Sequence, residues 1–383
     1  MFAASRRTVL AVAALVATLG IAQAVHADLV PGNLVVTRIG NGVDPLPAAG
    51  AGTSVYLDQY SSGAAPAGSI ALPTSGADAF VLSSTGEEAG HLTRSVDRQS
   101  LVIAGYNAAI GTAGVAGLDP SVAPRTVAVI KANGSYDLTT KLTDPGAWPK
   151  AATESKYVRG VATTDGTKFW FAGDSDPTIY PAGGTRFATL GSSTSVALND
   201  PARAYVNVRS AQIFGGQFYT TSGSSSVGKG VQTVGTGLPE SGPATITTFA
   251  TDGNSVNQMF MFDLTGDGSL DTMYTIGKNF AKYALVGGSW TKTGTFASGE
   301  LQYMAADATA NGVDVYIGGY SSIYHFLDTN GYNQPFSFST MPAAYLTAPT
   351  NEQFRGIAFA PVPEPASLVL MALGGLVAIF RRR

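Results

Sequence analysis

Tyr157-Val158-Arg159-Gly160-Val161-Ala162 is a short strand-like run bounded downstream by turn residues, and the chain repeats it. Close copies are His91-Leu92-Thr93-Arg94-Ser95-Val96, Val206-Asn207-Val208-Arg209-Ser210-Ala211 and Gln353-Phe354-Arg355-Gly356-Ile357-Ala358. Weaker copies are Asn257-Gln258-Met259-Phe260-Met261-Phe262 and Leu301-Gln302-Tyr303-Met304-Ala305-Ala306. Successive copies start about 45 to 65 residues apart, the period at which each repeat is one blade of a propeller. Each copy is then the innermost strand of its blade.

The rest of a unit follows the same pattern. After Thr163 come the turn Asp165-Gly166, a second strand Lys168 to Gly173, a third over Thr178-Ile179-Tyr180 and a fourth over Arg186 to Leu190. The unit from Ala305 offers Asp314 to Gly319 and Ile323 to Phe326 in the same roles. Six copies predict an all-β, six-bladed β-propeller, and the chain ends support that count. The last copy supplies one strand, while Asn33 to Ile39, Ser54 to Tyr60 and Gly68 to Leu72 supply three more, so N- and C-terminal strands would close one blade. Seven blades remain open if the interval from His91 to Lys156 hides an extra half-blade.

Composition points the same way. Gly, Ser and Thr abound, and the chain has no cysteine, so no disulfide holds the fold and a large core or closed sheet must. Only 13% of residues are charged and the net charge is −3, which does not support a nucleic-acid surface. At the start, Arg6-Arg7 precede an apolar run from Val9 to Ile21, and Val25-His26-Ala27 places small residues where a signal peptidase reads. Residues 1–27 are therefore expected to be a secretory signal peptide handled by the export machinery. Ser5-Arg6-Arg7-Thr8-Val9-Leu10 also resembles a twin-arginine export motif, with Val9 where Phe is usual.

The other end carries Val362-Pro363-Glu364-Pro365, an apolar run from Ala366 to Phe380, and Arg381-Arg382-Arg383. Two prolines hold the first part extended and accessible. The run is long enough for roughly 22 Å of helix, a short transmembrane helix, and the three arginines fix its end in the cytoplasm. This order resembles the PEP-CTERM sorting signal of bacterial proteins. The resemblance covers residues 361–383 and implies processing by an exosortase at or near Pro363-Glu364-Pro365, with delivery to the cell surface or an exopolysaccharide matrix. A plain anchor that stays in the membrane is the alternative. Residues 28–360 would form the propeller domain.

Candidate sites in that body each have a structural alternative. Asp263-Leu264-Thr265-Gly266-Asp267-Gly268-Ser269-Leu270-Asp271 sets oxygen side chains at every second position, and Asp263, Thr265, Asp267, Ser269 and Asp271 could wrap a Ca²⁺ ion. The stretch resembles the calcium loop of FG-GAP propeller repeats. It also suits an ordinary Asp/Gly hairpin turn. Arg94, Arg159, Arg209 and Arg355 recur near the start of four innermost strands. They could converge at one channel mouth and grip the carboxylates of an acidic sugar, or each could tie its blade to a neighbour.

Thr164 to Trp170 is faintly similar to the Asp-box of sialidase-like propellers, and reads equally as a turn followed by a core Trp170. His91 and His325 are the only histidines after residue 27, which excludes a multi-histidine metal centre. Trp148 and Trp290 are of a type that stacks on sugars, and of a type that packs between blades. The expectation is an exported structural or polysaccharide-binding protein. The alternatives are a propeller enzyme acting on carbohydrate or a lactone, and a propeller binding a protein partner through its loops.

Overall fold

The computed structural model describes residues 28–363 except 48–49, 87, 150–157, 175–182, 201–205, 226, 251–252, 298 and 300. The expected signal peptide, residues 1–27, and the apolar tail lie outside the described residues, as do Glu364, Pro365 and Arg381 to Arg383. No helix among the described residues is long and apolar enough to cross a membrane.

Among the described residues six antiparallel sheets surround an axis. We number the blades by innermost strand: Thr93–Arg94, Val158–Thr163, Val208–Phe214, Val256–Phe262, Tyr303–Thr309 and Gln353–Phe359. Each innermost strand packs on the next, and the sixth returns to the first. The ring is closed and six-bladed. The interval in which a seventh blade could have hidden holds a 3-10 turn, Val115–Gly117, and loops that cover blade 1.

Closure uses both chain ends. In blade 6 the innermost strand Gln353–Phe359 pairs with Leu34–Ile39, which pairs with Val55–Tyr60 and then Pro66–Ala71. Leu34 faces Phe359 and Val36 faces Ile357. Arg38 adds an ion pair across this seam, Nη1 lying 2.5 Å from Glu352 Oε1. The pairing satisfies two edges that an open array would expose.

Side-chain alternation explains why strands pack on both faces. In Ser100–Tyr106, Leu101 and Ile103 join the core shared with blade 6, while Val102, Ala104 and Tyr106 join the core shared with blade 2. Burying such side chains contributes roughly 1.5–3 kcal/mol each, which accounts for an exported fold without disulfides. In blade 2 Arg186–Thr189, expected as the fourth strand, is the third among the described residues, and Val196–Ala197 is the fourth. Thr178 to Tyr180, expected as the third strand, fall outside the described residues.

Buried polar ties supplement the cores. Arg125 is 1% exposed and donates to the carbonyls of Ala123 at 2.6 Å, Leu118 at 2.8 Å and Ala116 at 3.3 Å, and to that of Trp148. One guanidinium thus gathers the covering loops of blade 1. Trp148 is itself fully buried and meets Phe171 edge-on, and Trp290 packs beside Phe249. Neither is an exposed sugar platform. Trp170 sits in the core, its Nε1 donating to Pro239 O at 2.8 Å.

Candidate functional site

The innermost strands run in parallel around the axis, so their starts ring one mouth of the channel and their ends ring the other. Near the starts, the register with the second strand slips between Val158 and Gly160, between Val208 and Ala211, between Val256 and Gln258, and opposite the Thr37/Arg38 step. The slips leave Arg159, Arg209, Asn257 and Arg355 at β-bulges, which turn their side chains out of the normal alternation. Each then reaches the segment that follows it around the ring.

Arg159 Nη1 donates to Asn207 Oδ1 at 2.6 Å and to Val208 O at 3.3 Å. Arg209 Nη1 donates to Asn257 Oδ1, and Asn257 Nδ2 donates to Leu301 O at 2.9 Å. Arg355 Nη2 donates to Ser84 O at 2.8 Å, in the segment entering blade 1. Glu88, in that same segment, takes Arg159 Nη2 at 2.7 Å and Arg209 Nη2 at 2.9 Å on its two oxygens. These are the contacts of an inter-blade lock. Beneath it His91 is buried, with its pKa lowered to about 4 by burial and by the charges of Arg159 and Arg209, so it is neutral at pH 7.

Arg94 does not join this group, which corrects its expected placement. Blade 1 has an innermost strand of only two residues, and Arg94 pairs with Leu101 beside the turn to the second strand. That puts it at the opposite mouth. There Arg94 Nη2 lies 2.9 Å from Asp307 Oδ2, and Arg98 binds the same oxygen. Two guanidiniums on one carboxylate leave a positive charge in excess.

This mouth opens into a basin of about 460 Å³ to which all six blades contribute. Its walls carry Phe214, Phe260, Phe262 and Phe359, with Thr93, Thr163 and Gln212 as polar neighbours. The Arg94 guanidinium lies 5.7 Å from the Phe359 ring centroid. Arg98, Asp307 and the phenylalanines were missed from the sequence. A signal existed, because Phe214, Phe262 and Phe359 each stand at or beside the end of a repeat strand.

The remaining candidates resolve into turns. Asp263 Oδ1 accepts from Gly266 N at 2.6 Å and Asp267 N at 3.2 Å, and its Oδ2 from Gly268 N at 2.7 Å. Asp271 accepts from Leu264 N at 3.0 Å and Thr265 N at 2.8 Å, and Asp267 from Ser269 N at 2.8 Å. Burial alone would raise the Asp271 pKa, but these donors and the Thr265 and Thr272 hydroxyls hold it below the usual range. The carboxylates thus point into their own loop, as a hairpin turn requires. No group of three or more His, Cys, Asp or Glu among the described residues could hold a metal. Asp165 Oδ1 likewise accepts from Thr167 N at 2.9 Å and Thr167 Oγ1 at 2.7 Å, closing a turn rather than a sialidase-like site.

The chain leaves the fold at the rim of the phenylalanine-walled basin. Ala360 N donates to Asn33 O at 2.9 Å and Val362 N donates to Arg98 O at 2.7 Å, after which Pro363 is exposed. From here the sequence matches a known sorting signal. Residues 361–383 carry a PEP-CTERM protein-sorting motif. The motif implies an exported, membrane-anchored precursor that an exosortase processes.

No curated protein matches the chain. Among solved structures, one in the crystal structure of a nidogen/laminin complex is similar with a TM-score of 0.50 at 9% identity, over 87% of this chain and 99% of that one. A candidate 6-phosphogluconolactonase from Bacteroides uniformis gives 0.42 at 14% identity, over 83% of each chain. A functionally unknown protein from Desulfotomaculum acetoxidans gives 0.43 at 11%, over 84% of this chain and 83% of that one. At these identities the first likeness is one of fold alone.

Proposed function

We propose that the processed protein is a component of the cell surface or extracellular matrix that binds an acidic polysaccharide in the basin at the tail-side mouth. The observation that carries this reading is the shared carboxylate: Arg94 and Arg98 both bind Asp307, so the cluster keeps one unneutralised positive charge for a ligand carboxylate in a site walled by aromatic rings. Aromatic faces suit the apolar side of a pyranose, and an Arg fork suits a uronate carboxylate. Binding is favoured over catalysis because the one carboxylate among the described lining residues is held between two cations. It cannot serve as both acid and base in a hydrolysis that needs two such groups.

Titration of the purified body with uronic-acid oligosaccharides and with matched neutral ones tests this. The uronates should bind, and Arg98→Ala should weaken that binding about tenfold, corresponding to the loss of one charge-assisted contact. Equal binding of neutral and acidic sugars, or an indifferent Arg98→Ala variant, overturns it. For the destination, wild-type chain should appear at the surface without its C-terminal arginines, while Glu364→Ala should remain in the inner membrane at full length.

A further inference from the structure

The chain enters the sorting motif on the basin side of the propeller. Phe359 ends the closing strand in the basin wall, and three residues later Val362 is bound to Arg98, which forms part of the rim. The turn that carries Arg98 is fixed in its turn, because Val96 N donates to Thr163 O at 3.1 Å and Asp97 N to Thr164 O at 3.0 Å. The exit point is therefore a built part of the rim.

Beyond it, very little chain separates the body from the membrane segment. Val362, Pro363, Glu364 and Pro365 are followed at once by the apolar run from Ala366. Four residues, however arranged, reach at most about 14 Å. A folded body of this size has a radius of roughly 25 Å. So short a tether cannot carry the exit point around to the far side of the body.

We infer that in the membrane-anchored precursor the basin faces the bilayer at close range, and that removal of the tail is what opens it to large ligands. Headgroups held that close to the rim stand in the path of a bulky matrix polymer, whereas the opposite mouth, lined by Glu88 and Arg209, points away from the membrane throughout. Processing would then couple release to binding, so that the protein does not capture matrix polymer while still anchored. The coupling to binding rests on the basin being the ligand site; the orientation does not.

The absence of cysteine makes the orientation directly measurable. Ala308→Cys places a label beside the basin and Lys278→Cys places one at the far mouth, both at exposed positions. Full-length chains carrying each label are reconstituted in vesicles with a short-range headgroup quencher and no polysaccharide. The Ala308 label should be quenched several-fold more than the Lys278 label, and a long Gly/Ser insertion between Val362 and Pro363 should abolish the difference. Equal quenching without the insertion, stronger quenching at Lys278, or no quenching at either site overturns the inference. Because no sugar is present, failure here is separate from failure of the binding reading, which the uronate titration of the free body tests alone.

Discussion

Lys282 and Asp328 form an ion pair inside the fold, Nζ to Oδ2 at 2.9 Å, with side chains 1% and 0% exposed. The pair joins blade 4 to blade 5. Tyr274 also donates to Asp328 at 2.8 Å, and Lys282 donates to the carbonyls of Asn330 at 2.8 Å and Gly331 at 3.1 Å. Its charges were taken from water, so either one alone is costly. Lys282→Met or Asp328→Leu should each destabilise by about 3–5 kcal/mol in urea unfolding. The double variant should recover much of that loss. A double variant as unstable as the sum of the two would show that the two charges are not coupled and would overturn this reading.

His91 makes stability depend on acid. Its pKa in the fold is about 4 against about 6.5 when unfolded, so the unfolded chain takes up the proton first as pH falls. The contribution of neutral His91 is full above pH 6.5 and is lost progressively down to pH 4, to an extent of about 3 kcal/mol. Urea midpoints should drop across that window in the wild type. His91→Gln should flatten the curve there, leaving only the carboxylate contribution at lower pH.

Gly356 decides whether the ring can close. A Cβ on it would stand 2.4 Å from Gly90 O and 2.7 Å from Leu92 N, backbone atoms of the segment that starts blade 1. Gly160 has the same constraint, 2.8 Å from Ala211 N. Gly356→Ala should cost about 1–3 kcal/mol or more through forced separation of innermost strands. Gly63→Ala, where nothing lies within 4 Å, should stay within about 0.5 kcal/mol. Thermal melts of the two variants make the comparison.

The Asp263 loop should behave as a turn. Asp263→Ala frees three backbone N–H groups and should lower stability by about 1–2 kcal/mol, whereas chelator or added Ca²⁺ should leave the melting temperature unchanged. A calcium-dependent rise in melting temperature that Asp263→Ala abolishes would restore the metal reading.

Much of the architecture was legible because it is written in local periodicity. Short alternating strands, turn residues between them and a repeat of blade length need no tertiary knowledge, and the one-plus-three division of blade 6 follows from counting. The tail was legible for a similar reason: two prolines, an apolar run and terminal arginines act through composition and order alone.

The site was not legible in that way. Arg94, Arg159, Arg209 and Arg355 look equivalent when the repeats are aligned, yet bulges send three of them to one mouth and the short strand of blade 1 leaves Arg94 at the other. A bulge is a register event between two strands, so a single strand's sequence does not announce it. The basin is still less local, since its walls come from six strand ends and its charge from Arg94 and Arg98 meeting Asp307 two blades away. Sequence alone determined a closed propeller of repeated strands with a sorting tail. Only the folded ring decided which end of the channel gathers Arg94, Arg98 and Asp307, and that the tail leaves from that same end, because both depend on how distant strands meet around the axis.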